Sequence, residues 1–280
     1  MKLEFSVEDV VKTRYSVRTY TGETISSEKI EQIKNYINTL SNPFSVKVNF
    51  SILETKNSED TKKLGTYGVI KGANNYIGVT VAQGELALEA LGYEFEKLVL
   101  YLTSIGLGTC WLGGTFDRSS FANALEVNEK ELFPIVSPFG YAVDKKRFTE
   151  SLMRKVVKAD QRKSWSELFF DKELNTSLTK ENAGAYESVL EMVRLAPSAS
   201  NKQPWRIVRE GKLYHFYEEK AKGYSDKANY DIQTVDIGIA ACHFHLTALE
   251  KDLKGEFKKL EVPAITTPEN YIYTFSWISE

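Results

Sequence analysis

The most apolar stretch of the chain, Leu86 to Leu107, carries Glu89, Glu94, Glu96 and Lys97 inside it, with Glu85 at its edge. A membrane-spanning helix would not tolerate so many charges, so the stretch predicts a buried helix of a water-soluble fold. The helix, placed at about Glu85 to Ile105, is apolar on more than one face. A helix of that kind needs partners on several sides, such as a sheet and a second helix. The fold must therefore be layered around it.

The elements around this helix follow from local pattern. Ser6 followed by Asp9 resembles a capping box that opens a short helix. A second helix starts near Ser26-Ser27, with Ile30, Ile33, Ile37 and Leu40 at helical spacing, and Asn42-Pro43 stops it. Phe44, Val46, Val48, Phe50 and Ile52 alternate with polar residues and predict a half-buried strand. Strands are also expected at Tyr76 to Val81 and at Phe133 to Val143, the latter interrupted by Pro138. Gly106 and Gly108 end the central helix, leaving Cys110 to Gly114 extended.

The polar segment Asp171 to Lys180 is expected as a linker between a first half, 1–170, and a shorter second half, 181–280. Beyond it the pattern restarts, with a helix at Tyr186 to Leu195 and strands at Trp205 to Arg209 and Lys212 to Tyr217. An amphipathic helix follows at Asp236 to Leu253, then a closing strand at Tyr271 to Ile278. Strands and helices mixed without a regular βαβ rhythm indicate an α+β fold. The halves share an outline without evident sequence likeness, so a duplication is left open.

With 36 basic and 38 acidic residues, a net charge of -2, the chain has no field favouring nucleic acid or an anionic membrane. Cys110 and Cys242 lie far apart without metal-ligand spacing, and the N-terminus lacks the apolar core of a signal peptide. A reducing, cytoplasmic setting is expected. His243 and His245 are two apart on a helix and cannot face one metal, so no metal site is assigned.

Three segments could carry chemistry. Arg14-Tyr15-Ser16-Val17-Arg18 sets two guanidinium forks four residues apart around a hydroxyl, suited to a phosphate dianion. Taken alone, two solvated arginines are the better reading. Ala196 to Trp205 runs A-P-S-A-S-N-K-Q-P-W. Pro197 stops a helix and Pro204 forces Gln203 into an extended backbone. Pro197, Ser198, Ala199 and Asn201 could let a flat heteroaromatic ring approach closely, although, taken alone, an ordinary helix-to-strand loop is the better reading. Gly106 to Gly114, G-L-G-T-C-W-L-G-G, could offer a backbone amide at Gly113 or Gly114, or could be a helix cap and a tight turn. A dinucleotide fingerprint is excluded, because these glycines follow a helix and not a strand. Arg162 and Lys163, late in the first half, could return to a phosphate, although as isolated features solvated charges are the better reading.

Together the three segments resemble the nitroreductase superfamily, whose signatures are R-x-S-x-R/K, P-S-x-x-N-x-Q-P-W, and G-L-G-T-x-W-x-G-G after a long central helix. The order departs from the usual pattern: the P-S-x-x-N loop comes after the linker, not at Asn42 to Val46. Relatives are usually homodimers with FMN at the subunit interface, so the resemblance implies a pseudo-dimer in one chain. It is similar to a small two-repeat branch, the TM nitroreductase type. One asymmetric site would take Arg14, Ser16, Arg18 and Gly113-Gly114 from the first half and Pro197 to Asn201 from the second. The symmetry-related site would be empty.

By position, Arg14 resembles the phosphate ligand with Tyr15 beside it, Ser16 its hydroxyl helper, and Arg18 the cation at the pyrimidine edge. Arg162 and Lys163 resemble the late basic pair, and Lys71 falls where some relatives place a ring-edge lysine. Trp111, Leu112, Gly113 and Gly114 would border the flavin, a glycine amide meeting N5. Pro197, Ser198, Ala199, Asn201 and Gln203 would close the ring side.

The resemblance implies an FMN-dependent oxidoreductase that passes hydride from NAD(P)H to nitroaromatics, quinones or flavins by a ping-pong route. The flavin carries the hydride, so no catalytic side chain is expected. Dehalogenation on the same fold, a flavin-binding sensor with little turnover, and a cofactor-free structural domain stay open. A small-molecule acceptor is the expected partner, and the built-in pseudo-dimer favours a monomer.

Overall fold

A computed structural model describes residues 3–55, 64–143, 161–221, 223 and 230–280. The first half contains α1 (Val7–Thr13), α2 (Ser27–Ile37), β1 (Val48–Glu54), β2 (Asn75–Ala82), α3 (Ala87–Ser104), β3 (Gly108–Thr109), α4 (Arg118–Ala124) and β4 (Glu131–Gly140). The second region contains α5 (Trp165–Leu168), β5 (Phe169–Asp171), β6 (Glu173–Ser177), α6 (Lys180–Ala183), α7 (Glu187–Leu195), β7 (Trp205–Glu210), β8 (Leu213–Glu219), α8 (Ile232–Glu250), β9 (Gly255–Lys258) and β10 (Tyr271–Ser279).

The central helix finds the partners its apolar faces require. α3 packs against α8 on one side and against β2 on another. Two glycines set the closeness of the helix pair. A Cβ on Gly92 would lie 2.1 Å from the Val235 carbonyl oxygen, and one on Gly238 would lie 2.0 Å from that of Glu89. Each glycine therefore faces backbone one turn from the other glycine. That reciprocity is the signature of an approximate two-fold axis between the helices.

The sheets repeat the same relation. The first has strand order β1-β2-β4-β3, and the second contains β7-β8-β10-β9 in the same sense. The α+β architecture is thus two halves of one topology around a shared helix pair, a single-chain pseudo-dimer. The second sheet is longer by β5 and β6, and β5 runs parallel to β7. β5, which straddles the expected end of the first half at 170, is thus built with β6 into the second half's sheet.

Several expectations are corrected in detail. Asp171 to Lys180 is not a free linker: β6 pairs with β5 as an edge strand, turned by Lys172 at φ +63°, and Lys180 begins α6. Its outer position leaves it polar, so no alternation marks it. Phe44 and Val46 precede β1. There Asn42 Oδ1 accepts from the Phe44 and Val46 amides at 3.0 and 3.4 Å, folding the chain into an Asx turn. Ser6 makes no side-chain cap on α1; the Glu250 carboxylate, from the end of α8, accepts from the Val7 and Glu8 amides at 2.6 and 3.1 Å. Helix α8 begins one turn earlier than expected, with Asp231 Oδ1 accepting from the Gln233 amide at 3.0 Å. It is buried nearly all round rather than along one stripe, because α3, α7 and the second sheet enclose it. Among the described residues no helix is long and apolar enough to cross a membrane.

Candidate functional site

Arg14 caps the C-terminus of α1, and the chain leaves it extended. Ser16 bridges Thr109, the Val17 amide donates to Thr109 O at 2.8 Å, and the Lys71 amide donates to Arg18 O at 2.9 Å. The arginine motif is thus an extended segment between β3 and Lys71, not a helical face. Period-two alternation puts Ser16 and Arg18 on one side and buries Val17 on the other. Val17 also accounts for Gly108, whose Cβ would meet Val17 Cγ2 at 2.4 Å. Tyr15 packs beside the apolar cluster that holds Val17, Leu112 and Phe121. Lys71 bridges Thr19, so alternation sends its side chain to the face opposite that of Arg18, and neither makes an ion pair among the described residues.

Arg14 turns inward. Its side chain is 6 % exposed, its Nε makes no hydrogen bond, and Glu96 Oε1 lies 3.9 Å away. Burial pushes its pKa below the usual arginine value, and Glu96 partly offsets that. The same carboxylate accepts from Trp111 Nε1 at 2.9 Å and contacts His243 Nε2 at 2.9 Å. Leu112 pairs both its backbone groups with Val136 and buries its side chain in the core. Gly113 packs on the other half, where its Cβ would meet Ile232 Cδ1 at 3.2 Å, whereas a Cβ on Gly114 would meet nothing within 4 Å.

The second-half loop is strained and tightly held. Ser200, Asn201 and Gln203 have φ of 48°, 55° and 50°, so Gln203 is left-handed and not extended as the following proline predicts. Left-handed backbone at non-glycine residues costs of order 1 kcal/mol or more each and clusters at binding sites. Pro197 is buried, and the Ala199 amide donates to both Asp236 carboxylate oxygens, at 3.0 and 3.1 Å. Ser198 Oγ accepts from the Gln203 amide at 2.8 Å. The late basic pair arrives here. Arg162 Nη1 donates to Asn201 Oδ1 at 3.1 Å, and the Lys163 amide donates to Gln203 Oε1 at 2.8 Å. A cavity of about 660 Å³ opens beside them, lined among others by Arg162, Lys163, Asn201, Gln203 and Lys220.

The structure therefore gathers the candidate residues into two groups. Arg14, Ser16, Arg18, Lys71 and Gly113-Gly114 do not line that cavity. The first two turns of α8 join the groups, since Ile232 touches Gly113 and Asp236, one turn on, holds Ala199. Four residues at these groups had no motif to announce them: Glu96, Arg118, Asp236 and His243. Only the isolated charges of an otherwise apolar helix could have flagged Glu96.

Three carboxyl groups crowd this end of α8. Burial, then the nearby Asp231 carboxylate, raises the Glu218 pKa from 4.5 to about 7, while Thr234 and Lys220 work against the shift. Burial also pushes the Asp236 carboxyl well up. A carboxyl raised in the folded state favours folding fully below about pH 4.5, and that contribution is lost as pH rises through about 7. Glu218→Gln imitates the protonated form. Its melting temperature should equal that of the parent near pH 4.5 and exceed it at pH 8; thermal melts across that range that stay parallel would refute the shift.

Two sheets of one topology around a glycine-seated helix pair, with a candidate site where the halves meet, define an α+β pseudo-dimer. The family model described as Putative TM nitroreductase matches residues 6–248. The chain belongs to that family, within the nitroreductase superfamily. A crystal structure from Thermotoga maritima, described as a putative nitroreductase, is 21 % identical with a TM-score of 0.64, covering 99 % of this chain and 95 % of that one. An FMN-dependent nitroreductase from Clostridium difficile is 19 % identical over 52 % of this chain and 94 % of its own, TM-score 0.42. A nitroreductase with bound FMN from Bacteroides fragilis is 17 % identical over 51 % and 92 %, TM-score 0.41. No curated protein matches.

Proposed function

We propose that the chain holds one FMN between its halves and passes hydride from NAD(P)H to small electron-poor acceptors such as nitroaromatics, quinones or flavins. The observation that carries this reading is the meeting, at the first turns of α8, of the glycine segment of one half and the Pro197–Gln203 loop of the other. A phosphorylated planar ligand suits the residues present. Arg14 offers a buried Nε without a hydrogen bond, and Arg18 makes no ion pair among the described residues. The Gly113 and Gly114 amides donate to no described residue.

Arg14, Ser16 and Arg18 would hold the phosphate and the pyrimidine edge, with Arg162 and Lys163 reaching in from the loop side. Bound FMN supplies the hydride-carrying centre, so the chain need provide no nucleophile. Its own work is to orient reactants about 3–3.5 Å apart and to keep donor and acceptor taking turns at one open face. Purified protein reconstituted with FMN should show a flavin spectrum at one FMN per chain. Two per chain would overturn the single asymmetric site, and none would overturn the flavin reading.

A further inference from the structure

The Gly113–Gly114 peptide is gripped from behind by a residue outside every motif. Arg118, the first residue of α4, donates from Nη2 to Gly113 O at 3.2 Å and from Nε to Phe133 O at 2.9 Å. The same Nη2 donates to the Tyr230 hydroxyl at 2.6 Å, and the guanidinium lies 5.0 Å from the Phe116 ring and 5.7 Å from that of Tyr230. Tyr230 stands just before α8 in the other half. The grip therefore closes only where the halves are docked.

Two consequences follow for the Gly114 amide. In a trans peptide the C=O and the N–H point to opposite sides, so pinning Gly113 O fixes the direction of the Gly114 N–H. That N–H donates to no described residue, and the space a Cβ on Gly114 would enter is open. A cation bonded to a peptide oxygen also draws electron density through the amide, which makes its N–H a stronger donor.

We propose that Arg118 is a positioning residue that aims and strengthens the Gly114 N–H as the hydrogen-bond donor to an acceptor atom of the bound ligand. On the FMN reading, on which this rests, that atom is flavin N5. The acceptor is a ring nitrogen, so an analogue lacking it separates this role from simple support of the loop.

The test compares FMN with 5-deaza-FMN, in which a C–H replaces N5, titrated into the full chain and into Arg118→Ala, with melting temperature as the check on folding. Arg118→Ala should weaken FMN about tenfold, the upper range for one hydrogen bond between neutral groups. Its affinity for 5-deaza-FMN should stay at the parent's value. Equal weakening of both ligands, or of neither, overturns the proposal while leaving the FMN reading standing. A parent chain that binds neither ligand defeats the FMN reading itself. Should Arg118→Ala fail to fold, Arg118→Gln, which keeps a donor but loses the charge, is expected to give the same selective loss, and Arg118→Lys to restore part of it.

Discussion

Gly238→Ala is expected to destabilise the folded chain by about 3 kcal/mol, the upper range for overpacking a core. The sign is the informative part. At an exposed helix position the same exchange stabilises by about 1 kcal/mol, because alanine loses less backbone freedom than glycine. Here the new methyl would sit 2.0 Å from the Glu89 carbonyl oxygen and 2.7 Å from its carbon, and backbone cannot swing aside like the tip of a side chain. Only separation of α3 from α8 relieves the clash. That separation also disturbs Ile232 and Asp236, and with them the joining of the two groups of site residues. Gly92→Ala should behave alike, since its methyl would meet the Val235 oxygen at 2.1 Å. Gly114→Ala, with nothing within 4 Å, should stay within about 0.5 kcal/mol of the parent. Urea denaturation of the three variants checks this, and a Gly238→Ala chain as stable as the parent would mean that the helices do not approach so closely.

These glycines show where the sequence was readable and where it was not. The central helix, α2, β2, β7 and β10 follow from apolar period and turn residues, because burial on one or more faces leaves that record. The arginine motif was legible as a motif, but its spacing arises from an extended chain paired with Thr109 and Lys71, a tertiary contact no local pattern encodes. β6 escaped because an edge strand exposed on its outer side shows no alternation. The cap on α1 comes from Glu250, at the far end of the chain. Gly92 and Gly238 are ordinary helix-interior glycines until the partner helix is in place. In the same way Gly113 and Ala199 could be brought together only through α8, and the start of that helix was placed a turn too late.

The charges of the central helix are the hardest case. They ruled out a membrane span, yet Glu89, Glu94, Glu96 and Lys97 are all buried in the fold. Glu96 has no exposure at all, and its partners come from three other elements. His243 Nδ1 lies 2.9 Å from Met192 O, a carbonyl that can only accept, so that nitrogen carries hydrogen. His243 Nε2 also lies 2.9 Å from Glu96 Oε1, a contact across the junction of the halves. Trp111 Nε1 occupies the other carboxylate oxygen, and Arg14 stands behind.

Glu96→Ala removes the acceptor from all three at once. Leaving a buried donor without its acceptor costs about 1–3 kcal/mol for each group so stranded. Glu96→Gln keeps an acceptor for the Trp111 indole and should cost less than the alanine variant. His243→Ala alone should be costly too, but Glu96→Ala combined with His243→Ala should cost clearly less than the sum, with a coupling of about 1 kcal/mol or more. Denaturation of the two single variants and the double variant yields that coupling directly; additivity to within about 0.5 kcal/mol would show that the pair does not act as a unit. The outcome bears on the site as well as on stability. With Glu96 gone, Arg14 loses the only carboxylate paired with it among the described residues, and the guanidinium expected at the phosphate is no longer held against α3. FMN affinity should then fall with Glu96→Ala and largely survive in Glu96→Gln, and loss of affinity to the same degree in both would assign the effect to charge rather than to the position of Arg14.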